Sequence, residues 1–324
     1  PVLVMLGVSL IVFFIIYLAP GDPVLLILGD NATQEEILAK RIEMGFNQPL
    51  WKQYIIYVFG VIKGDLGTSL YYNKPCADII FPLLKNTIIL TFSSMVLSLF
   101  IAIPFGIIAA VKRGTITDLG AMTFAMLGQA CSPVWLGILL VLVYAVKLGW
   151  LPAFGTEGFK ALILPSISLG TPLAALTVRL VRSGMIDTLD EDYILAARAK
   201  GEPYVTVVTK YALRNVLLPV ITVVGMQVGQ YLGGAVVTEQ IFAWNGVGRL
   251  MVTSISRRDY PMVQTCLLLA SFLYVMVNLV VDILYMYIDP RLRIRNNGSR
   301  KFNLSIINGK NNSNMDKTSF KQGI

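Results

Sequence analysis

Residues 88–111 read IILTFSSMVLSLFIAIPFGIIAAV, 24 positions without one charged side chain. Bilayer hydrocarbon is about 30 Å thick and a helix rises 1.5 Å per residue, so about 20 apolar residues cross it. Hydrocarbon offers no water to backbone amides, so such a stretch must pair its own N–H and C=O groups, and that predicts a helix. The alternation over about ten residues that marks a barrel strand is missing.

Working outward, five more runs carry no charge: 1–21, 119–146, 161–178, 216–238 and 260–281. The sequence therefore predicts an all-α polytopic membrane protein with six transmembrane helices. Composition agrees, since 55% of the 324 residues are hydrophobic and only 14% are charged, against about 25% in soluble domains. That balance excludes a soluble enzyme, a disordered chain and a disulfide scaffold. The chain has no His, which removes His-based zinc sites and Ser–His or Cys–His nucleophiles. Cys76, Cys131 and Cys266 are far apart and read as small buried apolar residues. No catalytic, cofactor or metal residue is assigned.

The first run is not read as a signal peptide: it is long, and a turn, Ala19-Pro20-Gly21-Asp22-Pro23, follows it instead of a small-residue cleavage site. Pro1 stands where Met would be expected, so the natural N-terminus is expected to lie upstream. With six spans both ends share one side. Short loops on that side hold 16 Lys and Arg against 5 opposite, so both termini are expected in the cytoplasm. The division is then a first helix over 1–21, an extracytoplasmic loop over 22–87, a transmembrane core over 88–292 and a disordered cytoplasmic tail over 293–324, rich in Asn, Ser and Lys. In the outer loop Thr33-Gln34-Glu35-Glu36 is a capping box that opens a short helix. Residues 49–62 form a second helix, whose Trp51, Tyr54, Tyr57 and Phe59 suit either a membrane interface or packing over the spans. Kinks are expected at Pro104, Pro133, Pro165 with Pro172, and Pro219. Gly225, Gly229, Gly233 and Gly234 suit close helix contact.

The most informative loop is 184–215, GMIDTLDEDYILAARAKGEPYVTVVTKYALRN. Within it residues 190–200 carry every mark of a short helix. Asp190, Glu191 and Asp192 sit at the positive end of its dipole, and Arg198 and Lys200 at the negative end. Gly201 suits a left-handed C-cap, and Pro203 blocks continuation. The centre is Tyr193, Ile194, Leu195, Ala196 and Ala197, and the two adjacent alanines leave a low profile between apolar neighbours that suits a groove on another protein, or else a lipid surface.

Ala196-Ala197-Arg198-Ala199-Lys200-Gly201, followed by Leu218-Pro219, resembles the cytoplasmic EAA loop of binding-protein-dependent ABC importer permeases. Leu195 stands where that motif has its Glu, and the spacing to Leu218 is long; both fit the dipeptide, oligopeptide and nickel branch. Residues 50–54 (LWKQY), 64–69 (GDLGTS), 213–219 (LRNVLLP), 242–250 (FAWNGVGRL) and 258–261 (RDYP) resemble the B-type subunit of that branch, up to about Leu292. The resemblance implies a type I importer (MetI-like) core plus the large first outer loop. It implies four kinds of partner: a second homologous permease, two ATP-binding subunits, an extracytoplasmic substrate-binding protein and membrane lipid, in a bacterial or archaeal inner membrane. Nucleic acid is not expected. Asp190, Asp192, Tyr193, Leu195, Ala196, Ala197, Arg198, Lys200 and Gly201 would meet the ATPase, and 203–214 would act as a rigid arm to the fifth span. The chain has no GxxxxGK[ST] loop, so ATP and Mg belong to the partner subunits and this chain is not itself an enzyme.

The translocation path is expected to be lined by uncharged polar side chains on apolar helices. Gln129 and Ser132 in the third span, Gln227 and Gln230 in the fifth, and Asn278 and Asp282 in the sixth are the candidates. Such a lining suits di- and oligopeptides, whose amides need no fixed counter-ion. Nickel import within the same family is the alternative. A secondary transporter would need a proton or ion relay, for which the spans offer Asp282 alone.

Overall fold

The computed structural model describes residues 2–18, 24, 33–43 and 47–288. The tail over 293–324 and the turn at 19–23 lie outside the described residues. The chain divides into two units, Pro1–Leu279 and Val280–Ile324; of the second, only the last turns of the final helix are described.

The described residues are helices and their links. In order they are α1 (Val2–Leu18), α2 (Gln34–Glu43), α3 (Leu50–Ile62), α4 (Cys76–Val111), α5 (Ile116–Ala130), α6 (Pro133–Leu140), α7 (Phe159–Leu189), α8 (Asp192–Ala199), α9 (Leu213–Gly234), α10 (Val236–Ile241), α11 (Val247–Ser256) and α12 (Tyr260–Ile288). A π-helical stretch, Val141–Lys147, continues α6, and another, Val207–Ala212, leads into α9.

Among the described residues four helical stretches are long and apolar enough to cross a membrane: Cys76–Val111, Phe159–Leu189, Tyr204–Leu232 and Tyr260–Ile283. The third expected run is not one straight rod. It is Ile116–Ala130 plus Pro133–Lys147, bent by 101°, and it makes a fifth span only if the pair is counted as one. The first run is α1, described over 17 residues. The break has a local cause. Pro133 pushes the preceding Ser132 into extended backbone (φ −63°, ψ 136°). Ser132 Oγ then accepts the Val134 N–H at 3.3 Å, capping a new helix in which proline occupies the first turn. Pro104, Pro165, Pro172 and Pro219 lie inside unbroken helices, so of the expected interruptions only Pro133 divides its helix.

The helix that carries the run 88–111 starts ahead of it: α4 begins at Cys76 and runs through Lys85 and Asn86. Its 36 residues exceed what the hydrocarbon core requires, so it projects beyond it. Ahead of α2 the capping box is as read: the Thr33 N–H donates to Glu36 Oε2 at 2.9 Å and Thr33 Oγ1 accepts the Glu36 N–H at 3.3 Å. α3 packs on α1 through Tyr54 and Tyr57, whose rings lie 5.4 and 5.8 Å from Phe13, while Trp51 and Phe59 stay exposed.

Packing centres on α4 against α7. A Cβ on Gly106 would stand 2.6 Å from Val181 Cβ, and one on Gly170 would stand 2.8 Å from the Ser94 carbonyl oxygen. Neither position has room for a side chain. At one end of α4, Ala110 joins Met185, Ile194, Ala197, Val207, Val208, Ala212 and Val216 in one apolar cluster. At the other end Cys76 and Ile80 pack with Val247, Leu250, Met262 and Cys266.

Candidate functional site: the helix at 192–199 and the broken span

α8 is shorter than the sequence predicts. Asp190 ends α7 and Glu191 is the N-cap, with no side-chain capping bond. The C-terminal signal is realised in full. Gly201 has φ +82°; its N–H bonds to the Arg198 carbonyl at 3.0 Å, and the Glu202 N–H to the Ala197 carbonyl at 3.3 Å. That bond pair is the Schellman motif.

The face of α8 turned to this chain differs from the expectation. Ile194 is fully buried and Ala197 nearly so, both in the apolar cluster around the end of α4. Ala197 is therefore a packing residue, and the low profile it was expected to offer outward is absent, because positions three apart share a helix face. Asp190, Asp192, Tyr193, Leu195, Ala196, Arg198 and Lys200 are exposed. Tyr193 Oη accepts a hydrogen bond from Asn215 Nδ2 at 2.6 Å, and the Arg198 guanidinium lies 5.4 Å from the Tyr204 ring centre. The first contact ties α8 to the first turn of α9, the second to the segment entering α9. That segment is not a uniform rod: one α-turn, Tyr204–Thr206, passes into the π-helix Val207–Ala212, which buries Val207, Val208 and Ala212.

The path candidates fall into separate groups. Gln129 and Ser132 are exposed at the break between α5 and α6, and Gln129 accepts a hydrogen bond from Arg179 on α7. Ser168, also on α7, donates to the Pro133 carbonyl at 2.7 Å. Gln227 is half-buried and Gln230 exposed on α9. Asn278 donates to the Tyr274 carbonyl of its own helix at 2.9 Å, and both residues lie beside Gly229. Asp282 is exposed.

The sequence reading missed the buried carboxylates. Asp118 on α5 receives Arg182 Nε at 2.5 Å and Arg182 NH2 at 2.8 Å, and also the Gly114 N–H at 3.0 Å. Glu239 is fully buried; it accepts Thr87 Oγ1 at 2.7 Å and the Arg249 N–H at 3.0 Å. Burial pushes its carboxyl above the ordinary range, against the pull of those donors. Asp259 accepts a hydrogen bond from Ser69 Oγ and the Leu70 N–H at 3.1 Å. Asp282 is thus not the only carboxylate on the apolar helices, since Asp118 lies on α5, but Asp118, Glu239 and Asp259 are all committed to partners.

These bonds explain two motifs. The 64–69 and 258–261 stretches meet through Ser69 and Asp259. In the 242–250 stretch Gly246 leaves room for Glu239, since a Cβ there would lie 2.2 Å from Oε1. Trp244 Nε1 donates to the Asn86 carbonyl at 3.0 Å, and Asn86 Nδ2 to the Asn245 carbonyl at 2.7 Å. Spacing alone could not have found these pairs, whose members lie some 150 to 190 residues apart in the sequence.

Comparison with known proteins agrees with this architecture. The chain is 40% identical over 318 residues to the dipeptide transport system permease protein DppB of Alkalihalophilus pseudofirmus, covering 90% of this chain and 96% of that one. It is 42% identical over 288 residues to the glutathione transport system permease protein GsiC of Escherichia coli, covering 89% and 94%. In structure it resembles a chain of the methionine ABC transporter MetNI in inward-facing conformations, with TM-scores of 0.52 and 0.54 in two crystal forms. Those likenesses, at 16% and 18% identity, cover 65% and 64% of this chain and 96% and 94% of that one. Residues 1–95 match the N-terminal membrane component of binding-protein-dependent transport systems. Residues 102–294 match the binding-protein-dependent transport system inner membrane component, and the chain belongs to that family of multi-pass ABC importer permeases.

Proposed function

We propose that this chain is the B-type permease of an ATP-driven importer that carries di- and oligopeptides. One observation carries the mechanism: α8 rests one face, Ile194 and Ala197, on this chain's core and leaves Leu195, Ala196 and Tyr193 exposed. A helix seated this way passes a push on its free face into the packed bundle. Two ATP-binding subunits would supply the push, ATP and Mg being theirs. A second homologous permease would complete the path, and an extracytoplasmic binding protein would deliver cargo. ATP drives the switch only by favouring one of two states.

In this reading α1, α4, α5 with α6, α7, α9 and α12 are the six spans and both termini are cytoplasmic. The outer loop extends over 22–75, and the tail beyond 292 is cytoplasmic. Asp190, Asp192, Tyr193, Leu195, Ala196, Arg198 and Lys200 form the ATPase contact, with Gly201 fixing the turn that follows. Gln129, Ser132, Gln227 and Gln230 line the path, with Asn278 near it. The names of the similar proteins favour peptide over nickel.

The test is uptake by the complex reconstituted in vesicles, comparing dipeptides, glutathione and longer peptides with nickel chelates. Peptide uptake that stops without ATP is expected. Uptake by this permease without an ATP-hydrolysing partner would overturn the reading.

A further inference from the structure

We infer that the Asp118–Arg182 pair is a coupling latch: it joins the helix that carries α8 to the broken third span, so that the two move as one body. The inference rests on the importer reading but concerns residues that reading does not use.

The connection is short at every step. α7 ends at Leu189, and only Asp190 and Glu191 separate it from α8. A displacement of α8 therefore enters α7 directly. Arg182 lies two turns before that end and grips both carboxylate oxygens of Asp118, at 2.5 and 2.8 Å. The Asp118 side chain is 8% exposed and that of Arg182 is 25% exposed. Asp118 is itself pinned, because its Oδ2 accepts the Gly114 N–H at 3.0 Å in the turn joining α4 to α5. The planar guanidinium fork meeting a carboxylate edge-on fixes orientation as well as distance.

α7 holds the broken span at two further points, Arg179 on Gln129 and Ser168 on the Pro133 carbonyl. These flank the 101° bend. The bend is thus gripped by single hydrogen bonds, one from a guanidinium and one from a hydroxyl, and the start of α5 by a bidentate ion pair. A buried ion pair adds little net stability over an apolar pair of similar volume. Its geometry is specific, however, and removing one partner strands the other. That combination suits a strut that must hold one register under load. Asp118 and Arg182 are accordingly positioning residues for transport and do not touch cargo.

The test uses the reconstituted complex with Asp118→Asn, Arg182→Gln and the exchanged pair Asp118→Arg with Arg182→Asp. Each single variant is expected to assemble, keep basal ATP hydrolysis within about twofold, and lose at least tenfold in peptide uptake. The exchanged pair is expected to recover uptake to within about threefold of the wild type. Wild-type uptake by the assembled Asp118→Asn complex would overturn the latch. So would loss of assembly that the exchange does not repair, which marks a folding pair only. A second measurement does not depend on cargo: spin labels at Thr117 and Asp187 on a Cys131→Ala background. One narrow distance that nucleotide leaves unchanged is expected, splitting into two in Asp118→Asn. An Asp118→Asn distance that stays single, or a wild-type distance that shifts with nucleotide, would refute the latch. A wild-type complex that takes up no peptide but keeps the single distance would sink the peptide reading and leave the latch standing.

Discussion

The two ends of α4 are held by different physics. At the Val111 end, α8 lies on Ile194 and Ala197 among Val207, Val208 and Val216, an apolar contact with little direction. At the Cys76 end, loops are clamped on two buried carboxylates, Glu239 and Asp259, each ringed by hydroxyl and amide donors. Apolar contact is non-directional and tolerates small slides. A buried carboxylate with matched donors does not, because each donor left unpaired keeps its full desolvation penalty. The Cys76 end is therefore the fixed one; at the Val111 end it is the seat of α8, not the Asp118–Arg182 pair beside it, that is able to yield to a push. Substitutions at each end can break that contrast or sharpen it.

The largest effect is expected at Glu239. Glu239→Leu would strand Thr87 Oγ1 and the Arg249 N–H. At about 2 kcal/mol per buried unpaired donor, the loss is roughly 4 kcal/mol. Thermal unfolding of the purified complex in detergent checks it. A melting temperature equal to wild type would mean that the clamp is not what fixes this end. Ile194→Ala comes next, on the other side of the comparison. Ile194 is fully buried, and its truncation should cost about 3 kcal/mol through lost burial and the cavity left behind. The same melt reads it, with the expectation that the cavity loosens α8 more than it unfolds the bundle. Limited proteolysis near Glu202 should then accelerate while the span fragments stay intact. Gly201→Ala is smaller again. A left-handed residue with a Cβ costs about 1 kcal/mol, and Gly201 sits at φ +82° with open space around its Cα. Gly201→Asn, which tolerates that conformation better, should recover part of the loss.

Legibility in the sequence follows the same division. The apolar runs, the capping box at Thr33 and Glu36, and the Gly201 terminus were readable because each is a local pattern whose period or cap lies within a few residues. The bend at Cys131-Ser132-Pro133 was half readable: Pro133 flagged it, but Pro104, Pro165, Pro172 and Pro219 gave the same signal and stay within unbroken helices. What separates Pro133 is where the preceding hydroxyl bonds: Ser132 caps forward on the Val134 N–H, whereas Thr171 before Pro172 donates back to the Ile167 carbonyl within its helix. Which alanine of the Ala196-Ala197 pair faces inward depends on how α8 is turned on its neighbours, and no local pattern sets that angle. Asp118, Glu239 and Asp259 were passed over because a carboxylate beside an apolar run reads as a flank. Their partners Arg182, Thr87 and Ser69 are 64, 152 and 190 residues away.

The sharpest use of the comparison is a residue expected to change function with almost no change in stability. Leu195 is 53% exposed beside fully buried Ile194. Surface truncations outside special sites stay within about 0.5 kcal/mol, so Leu195→Ala should melt with the wild type. If the exposed face of α8 meets a partner ATPase, the same substitution removes an apolar anchor from that contact. Uptake in vesicles should then fall severalfold while basal hydrolysis by the ATP-binding subunits continues. Ile194→Ala and Leu195→Ala, one residue apart, thereby separate what seats the helix from what the helix presses against. If both variants lost stability and neither lost coupling selectively, α8 would be ordinary packing, and the yielding end of the molecule would have to be sought elsewhere.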